Sequence, residues 1–227
     1  MAHIITVLQQ KGGAGKSTLI ASLAGFMAND SAKILIVDTD PQRSCVEWAG
    51  EQDIDNLDVL EHLSEDTLLD VIEKIDDQYN AIFVDTAGYD SRMAAYAIQA
   101  SDVILIPCRG SKKDVMGAAR TWKHAVTLTN KNRFVPEIRI VLWNVNTKTS
   151  VFEHAREALH AADLPVLRGS TPTLTGFDVM SWNGGLPTGK AATALNRFVA
   201  SLQIEGLLAF YDKKKAKNVG VADGQAA

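Results

Sequence analysis

Cysteine is nearly absent from this chain. Its 227 residues contain two, Cys45 and Cys108, and no C-x-x-C pair. That excludes a disulfide framework and a cysteine-spaced metal site, and leaves two ordinary buried or partly buried thiols of a reducing cytoplasm. No apolar run approaches the roughly 18 residues of a membrane-spanning helix. The N-terminus enters a strand directly, without a basic segment followed by an apolar one, so no secretory leader is expected. No internal repeat is visible. Positive charge is scarce in the first half: residues 1–108 carry 6 Lys+Arg against 18 Asp+Glu, a net −12. Residues 109–227 reverse the balance, 17 against 9, a net +8. The overall pI near 5.7 argues against nucleic acid. The basic half argues for a local anionic partner, unless the two halves mix in space.

What is present suffices for one sizeable α/β domain, at 46% hydrophobic residues. Short β-branched runs alternate with helical spacings. This predicts a doubly wound, mostly parallel sheet with helices on both faces, over residues 1–211. Residues 212–227 form a basic, then small and polar tail, expected to be disordered.

The chain is organised around residues 9–18, Gln9-Gln10-Lys11-Gly12-Gly13-Ala14-Gly15-Lys16-Ser17-Thr18. They lie between the strand run 4–8 and a helix predicted over 17–27. A glycine-rich turn entering a helix N-terminus aims backbone N–H groups and a positive dipole end at one point, where phosphate binds. Lys16 can reach the outer phosphates, and the Ser17 hydroxyl can ligate Mg²⁺. Gln10 stands where the G-x-x-x-x-G-K-[ST] pattern has its first glycine, and Lys11 is an additional lysine at the loop entrance. Two further strands end in carboxylates. One reads Asp38-Thr39-Asp40-Pro41-Gln42, the other Asp85-Thr86-Ala87-Gly88. Carboxylates at the C-terminal edge of a parallel sheet sit where ligands bind.

Together these residues resemble the ParA/MinD family of deviant Walker A ATPases, a type of P-loop NTPase whose loop reads K-G-G-x-G-K-[ST]. The likeness covers about residues 3–211, most closely to small ParA-type partition ATPases without an N-terminal helix-turn-helix domain. It implies ATP and Mg²⁺ as cofactors and slow, partner-stimulated ATP hydrolysis. Gly12, Gly13, Ala14, Gly15, Lys16, Ser17 and Thr18 would hold the nucleotide. Ser17, Asp38 and Asp85 would hold the metal, and Asp40 would orient the attacking water. Lys11 would reach the nucleotide of the opposing subunit in a homodimer. Asn144, ending a strand predicted from Glu137, would contact the base beneath a covering loop, 169–189. Arg156, Arg168, Lys190, Arg197, Lys213, Lys214 and Lys215 are candidates for non-specific DNA contact. A centromere-binding or adaptor protein would stimulate hydrolysis. The location implied is cytoplasmic, on the nucleoid when ATP is bound.

Three other readings remain within the family. A relative assisting conjugative DNA transfer would share these features. A MinD-like membrane-positioning ATPase would need an amphipathic C-terminal anchor. Leu202, Ile204, Leu207, Leu208 and Phe210 are apolar enough, but they fall on a helix expected over 190–211 and packed on the domain, so stable membrane association is not expected. An iron–sulfur ATPase of this fold would need cysteines at positions that Cys45 and Cys108 do not occupy. A non-hydrolysing binding module stands outside these readings.

Overall fold

A computed structural model describes residues 1–30, 32–51, 53–88, 91–130 and 134–211. Lys213, Lys214 and Lys215 lie outside the described residues. Seven strands, β1 (His3–Val7), β2 (Ile34–Asp38), β3 (Leu57–Glu61), β4 (Ala81–Asp85), β5 (Val103–Cys108), β6 (Glu137–Val145) and β7 (Val166–Pro172), form one sheet. Its order is β3-β2-β4-β1-β5-β6-β7. Every pairing is parallel. The sheet is therefore wholly rather than mostly parallel. Its central strands are buried on both faces and read as continuous apolar runs, as such sheets require.

Among the described residues, eight helices cover it: α1 (Lys16–Asn29), α2 (Ser44–Gly50), α3 (Leu68–Ile75), α4 (Arg92–Ala100), α5 (Lys112–Thr129), α6 (Ser150–Ala161), α7 (Thr175–Asn183) and α8 (Gly189–Ile204). One face packs α1, α2, α7 and α8 over Ile5, Phe83, Leu105 and Trp143. On the other face, α5 and α6 cover Ile104, Ile106, Ile140 and Leu142, and α3 and α4 cover Val37, Ile82 and Val84, with Ala94 and Ile98 of α4 reaching the first of these groups. Burying a side chain such as Phe83 or Ile106 contributes roughly 2 kcal/mol relative to exposure, so alternate strand residues feed both layers.

Several expectations are corrected. By sequence the run 102–107 reads as a strand that Pro107 ends, but Pro107 pairs in register with Val141, inside β5. Its missing N–H falls on the side where β1 has already left the sheet, since β1 pairs β5 only as far as Leu105. The Pro107 carbonyl there accepts a hydrogen bond from Gln9 Nε2 at 2.8 Å. Ser150-Val151-Phe152-Glu153 reads by sequence as a capping box, but the α6 cap is Thr149, whose hydroxyl accepts from the Phe152 amide. Ser64 reads by sequence as the N-cap of a helix over about 64–76, but it precedes a 3₁₀ turn (Glu65–Thr67) and makes no side-chain cap. The stretch 169–189 is not one loop: it completes β7 and then forms α7. Helix α8 stops at Ile204, and turns carry the chain to Tyr211. Leu202, Leu207 and Leu208 are buried in the core, whereas Ile204 is 81% exposed. No helix among the described residues is long and apolar enough to cross a membrane.

Candidate functional site

The register brings three strand ends level. Val7 pairs with Asp85, and Asp85 with Asp38, so the loops after β1, β2 and β4 open side by side at one sheet edge. The first of them wraps from Val7 into α1. Gly13 and Gly15 have φ of 71° and 91°, left-handed values that glycine adopts without strain. Gly15 is constrained twice, because a Cβ there would meet Trp143 Cδ1 at 3.0 Å. Gly15 is also the N-cap of α1 and offers no capping side chain, and the first turn contains no acidic residue. The leading N–H groups of a 14-residue helix are thus left to an anion.

Lys16, 8% exposed, lines a cavity of about 610 Å³ together with Gly12, Gly13, Gly15, Ser17, Thr18 and Asp40. Trp48 and Trp182 lie on its wall. Trp48 is both packed and wall-forming: it is 5% exposed and donates from Nε1 to the Gly185 carbonyl at 3.2 Å. Trp182, on α7, is 82% exposed at the rim.

Behind Ser17 lie Asp38 and Asp85, both fully buried. Asp38 accepts from the amides of Asp40 (3.1 Å), Cys45 (2.9 Å) and Val46 (3.2 Å). Burial outweighs these bonds and raises its pKa. Asp85 is pushed up to about 6 by burial, against the opposing pull of the Ser17 hydroxyl, the Cys45 thiol and Lys16. The Cys45 thiol donates to Asp85 Oδ2 at 3.2 Å, whereas Asp85 Oδ1 has no hydrogen-bond partner. A buried carboxylate oxygen without a donor is costly. Next to a hydroxyl at a phosphate cradle, it fits the hydrated shell of Mg²⁺, a hard cation that takes oxygen ligands and keeps its waters. Thr39 ties the β2 end to the β4 end, donating to the Asp85 carbonyl through its amide (2.9 Å) and its hydroxyl (2.7 Å).

Lys11 is not among the residues that line the Lys16 cavity. Its Nζ meets Asp114 Oδ1 of α5 at 2.7 Å. Asp114 also closes a capping box with Ser111. Burial pushes the Asp114 carboxyl up, but Lys11 and the Ser111 hydroxyl and amide together hold it below its ordinary value. Gln9 bonds the same helix: its Oε1 accepts from Thr121 Oγ1 at 3.2 Å and from the Gln10 amide at 2.8 Å.

Other expected site residues lie apart from this cavity. Asn144 sits within β6 at φ 54°, where the β6–β7 register shifts, and its buried Oδ1 is unpartnered. It does not line the cavity. Arg156 and Arg168 meet at a separate cleft of about 330 Å³ with His160 and Ser170. Arg156 is paired with Glu153 at 3.2 Å. Lys190 and Arg197 are exposed on α8, away from that cleft. Asp114, Trp182 and Arg109 lie outside the three sequence motifs. Arg109 carries no motif signal beyond its position directly after β5.

A wholly parallel sheet with this loop at its central strand defines a P-loop nucleotide-binding domain. The family description "CobQ/CobB/MinD/ParA nucleotide binding domain" matches residues 5–203, and the chain belongs to that family. It is similar to the protein ParA of Rhizobium radiobacter, 32% identical over 119 residues, which are 52% of this chain and 54% of that relative. The chain thus aligns with about half the length of that protein. A Gloeobacter kilaueensis protein named maintenance of carboxysome distribution protein A is 25% identical over 80% of this chain and 86% of its own. Among solved structures, an ATP complex of a McdA variant from Cyanothece superposes with a TM-score of 0.77 at 15% identity, covering 90% of this chain and 96% of that one.

Proposed function

We propose that this protein is a ParA-like ATPase that dimerises around ATP, binds DNA without sequence preference, and partitions or positions a cargo. The carrying observation is the division of labour between two lysines. Lys16 is buried in the phosphate cradle, whereas Lys11 stands outside its own cavity on Asp114. A lysine so placed is suited to completing a second subunit's site in trans.

Phosphoryl transfer needs positioning and charge neutralisation more than covalent chemistry. The Gly12–Gly15 amides and Lys16 hold the phosphates. Ser17, with Asp38 and Asp85 behind it, would hold Mg²⁺, which would neutralise charge on the phosphates. Asp40 lines the cavity and orients water toward the outer phosphate. Lys11 of the opposing subunit acts as an arginine finger does. Hydrolysis then releases the dimer.

The cargo class is supported by relatives named for ParA and for carboxysome distribution. It is a plasmid, a chromosome or a protein assembly. Arg156, Arg168, Lys190 and Arg197, together with Lys213–Lys215, supply phosphate contacts. Burial of Leu202, Leu207 and Leu208 speaks against a membrane anchor. The protein then works in the cytoplasm, on the nucleoid when loaded with ATP.

The test is ATP-dependent dimerisation and turnover. Asp40→Ala should bind ATP and accumulate as a dimer with its partners. Lys11→Ala should bind ATP yet remain monomeric, with hydrolysis at least 10-fold lower. Lys11→Ala with full activity and a normal ATP dimer would overturn the reading.

A further inference from the structure

We propose that Arg109 is a third phosphate-binding cation of this site, acting within its own subunit on the α/β-phosphate end of the nucleotide. The inference rests on the nucleotide-binding reading above and goes beyond it, because the loop motif does not contain this residue.

Four observations carry it. Arg109 immediately follows β5, the strand beside β1, and so emerges next to the loop at the same sheet edge. Its side chain folds back over that loop. Nη2 lies 3.8 Å from where a Cβ on Gly15 would be, and the residue lines the cavity with Gly12, Gly13, Lys16 and Ser17. Its backbone is held on both sides. Cys108 is fully buried in β5, and Gly110 is buried in a left-handed turn at φ 94° that leads into the Ser111 cap. Finally, the guanidinium has no hydrogen-bond or ion-pair partner among the described residues, unlike Arg43, Arg92, Arg139 and Arg156, and of the arginines whose side chains are likewise unpaired it is the one that lines this cavity.

An exposed, unpaired guanidinium on a rigid mount beside a phosphate cradle is pre-organised for a bidentate bond to phosphate oxygens. Its proximity to Gly15 selects the phosphates. The loop amides cradle the α- and β-phosphates, and Lys16 reaches outward to the γ-phosphate. Arg109 therefore contributes equally to ADP and ATP binding. Lys11, by contrast, matters only once a second subunit arrives.

The experiment is calorimetric titration of ADP and ATP, each with Mg²⁺, into wild type, Arg109→Ala, Arg109→Lys and, as a reference, Lys16→Ala. A lost charge-assisted bond corresponds to roughly 10- to 100-fold weaker binding. Arg109→Ala should lose that factor for both nucleotides, while melting without nucleotide at the wild-type temperature. Arg109→Lys should recover part of it, keeping the charge without the planar fork. Wild-type ADP affinity in Arg109→Ala overturns the inference. So does a loss confined to ATP, which would move the contact to the γ-phosphate or the opposing subunit. If wild type itself binds neither nucleotide, the nucleotide-binding reading fails first and takes this inference with it.

Discussion

Gly15 shapes the cradle because it is constrained by its own backbone and by the Trp143 ring. Gly15→Ala places a Cβ 3.0 Å from Trp143 Cδ1 at a φ of 91°. We expect it to cost about 1–3 kcal/mol of stability and to abolish nucleotide binding, as read by thermal melting and titration. Asp85 shows the opposite relation between stability and function. Its carboxylate is buried with one oxygen unsatisfied, and burial raises its pKa to about 6. The sign follows: the folded protein holds that proton more tightly than the unfolded chain, so Asp85 costs stability as pH rises from about 4 to 6. At pH 7.5 the cost is fully present. Asp85→Asn should then raise the melting temperature without nucleotide by several degrees while eliminating hydrolysis. A lower melting temperature would show that the charge is compensated.

At the scale of elements, α5 connects the loop to the rest of the sheet. Asp114 is at once its cap and the partner of Lys11. Asp114→Asn should cost about 1 kcal/mol, mostly through the cap, because the half-exposed Lys11 is screened by solvent. The pH dependence has the opposite sign to that of Asp85. Asp114 is held below its ordinary value, so its contribution is present above about pH 4 and is lost as pH falls further. Acid melting of wild type and Asp114→Asn should converge there. Freed from this pair, Lys11 should promote ATP-dependent dimerisation, measurable as dimer forming at lower protein concentration.

The strands and the three nucleotide motifs are legible in the sequence because each is local. A β-branched run, a glycine turn or a strand-terminal carboxylate announces itself within ten residues. The Lys11–Asp114 pair is not legible, because its partners are 103 residues apart. They meet only because β5 pairs with β1, and strand order is not written in any single stretch. Pro107 misleads for the same reason. In isolation it reads as a strand breaker, but the absence of a neighbour on one side makes its missing N–H harmless. The 169–189 stretch hides α7 because Gly176 and Gly184 break its helical pattern.

For the whole molecule, the charge asymmetry is partly spatial. Arg156, His160 and Arg168 gather at a cleft beside β7, one edge of the sheet, and the acidic stretch 50–77 contains β3, the opposite edge. DNA bound at the β7 edge would lie far from the acidic one. Binding to random duplex should require ATP and fall steeply between low and moderate salt, with a log–log slope set by the number of phosphates neutralised. Arg168→Glu should flatten that slope and leave nucleotide affinity unchanged. DNA affinity indifferent to salt and to nucleotide would rule out a partition role.

Trp143 contacts the inside of the loop, and Trp48 and Trp182 stand on the cavity wall. The fourth tryptophan, Trp122 of α5, does not line the cavity. The protein thus carries its own optical probe. Ultraviolet emission from the unlabelled chain should change when unmodified nucleotide enters. Replacing Trp182 by Phe should remove the rim contribution and leave the signals of Trp48 on the wall and Trp143 at the loop.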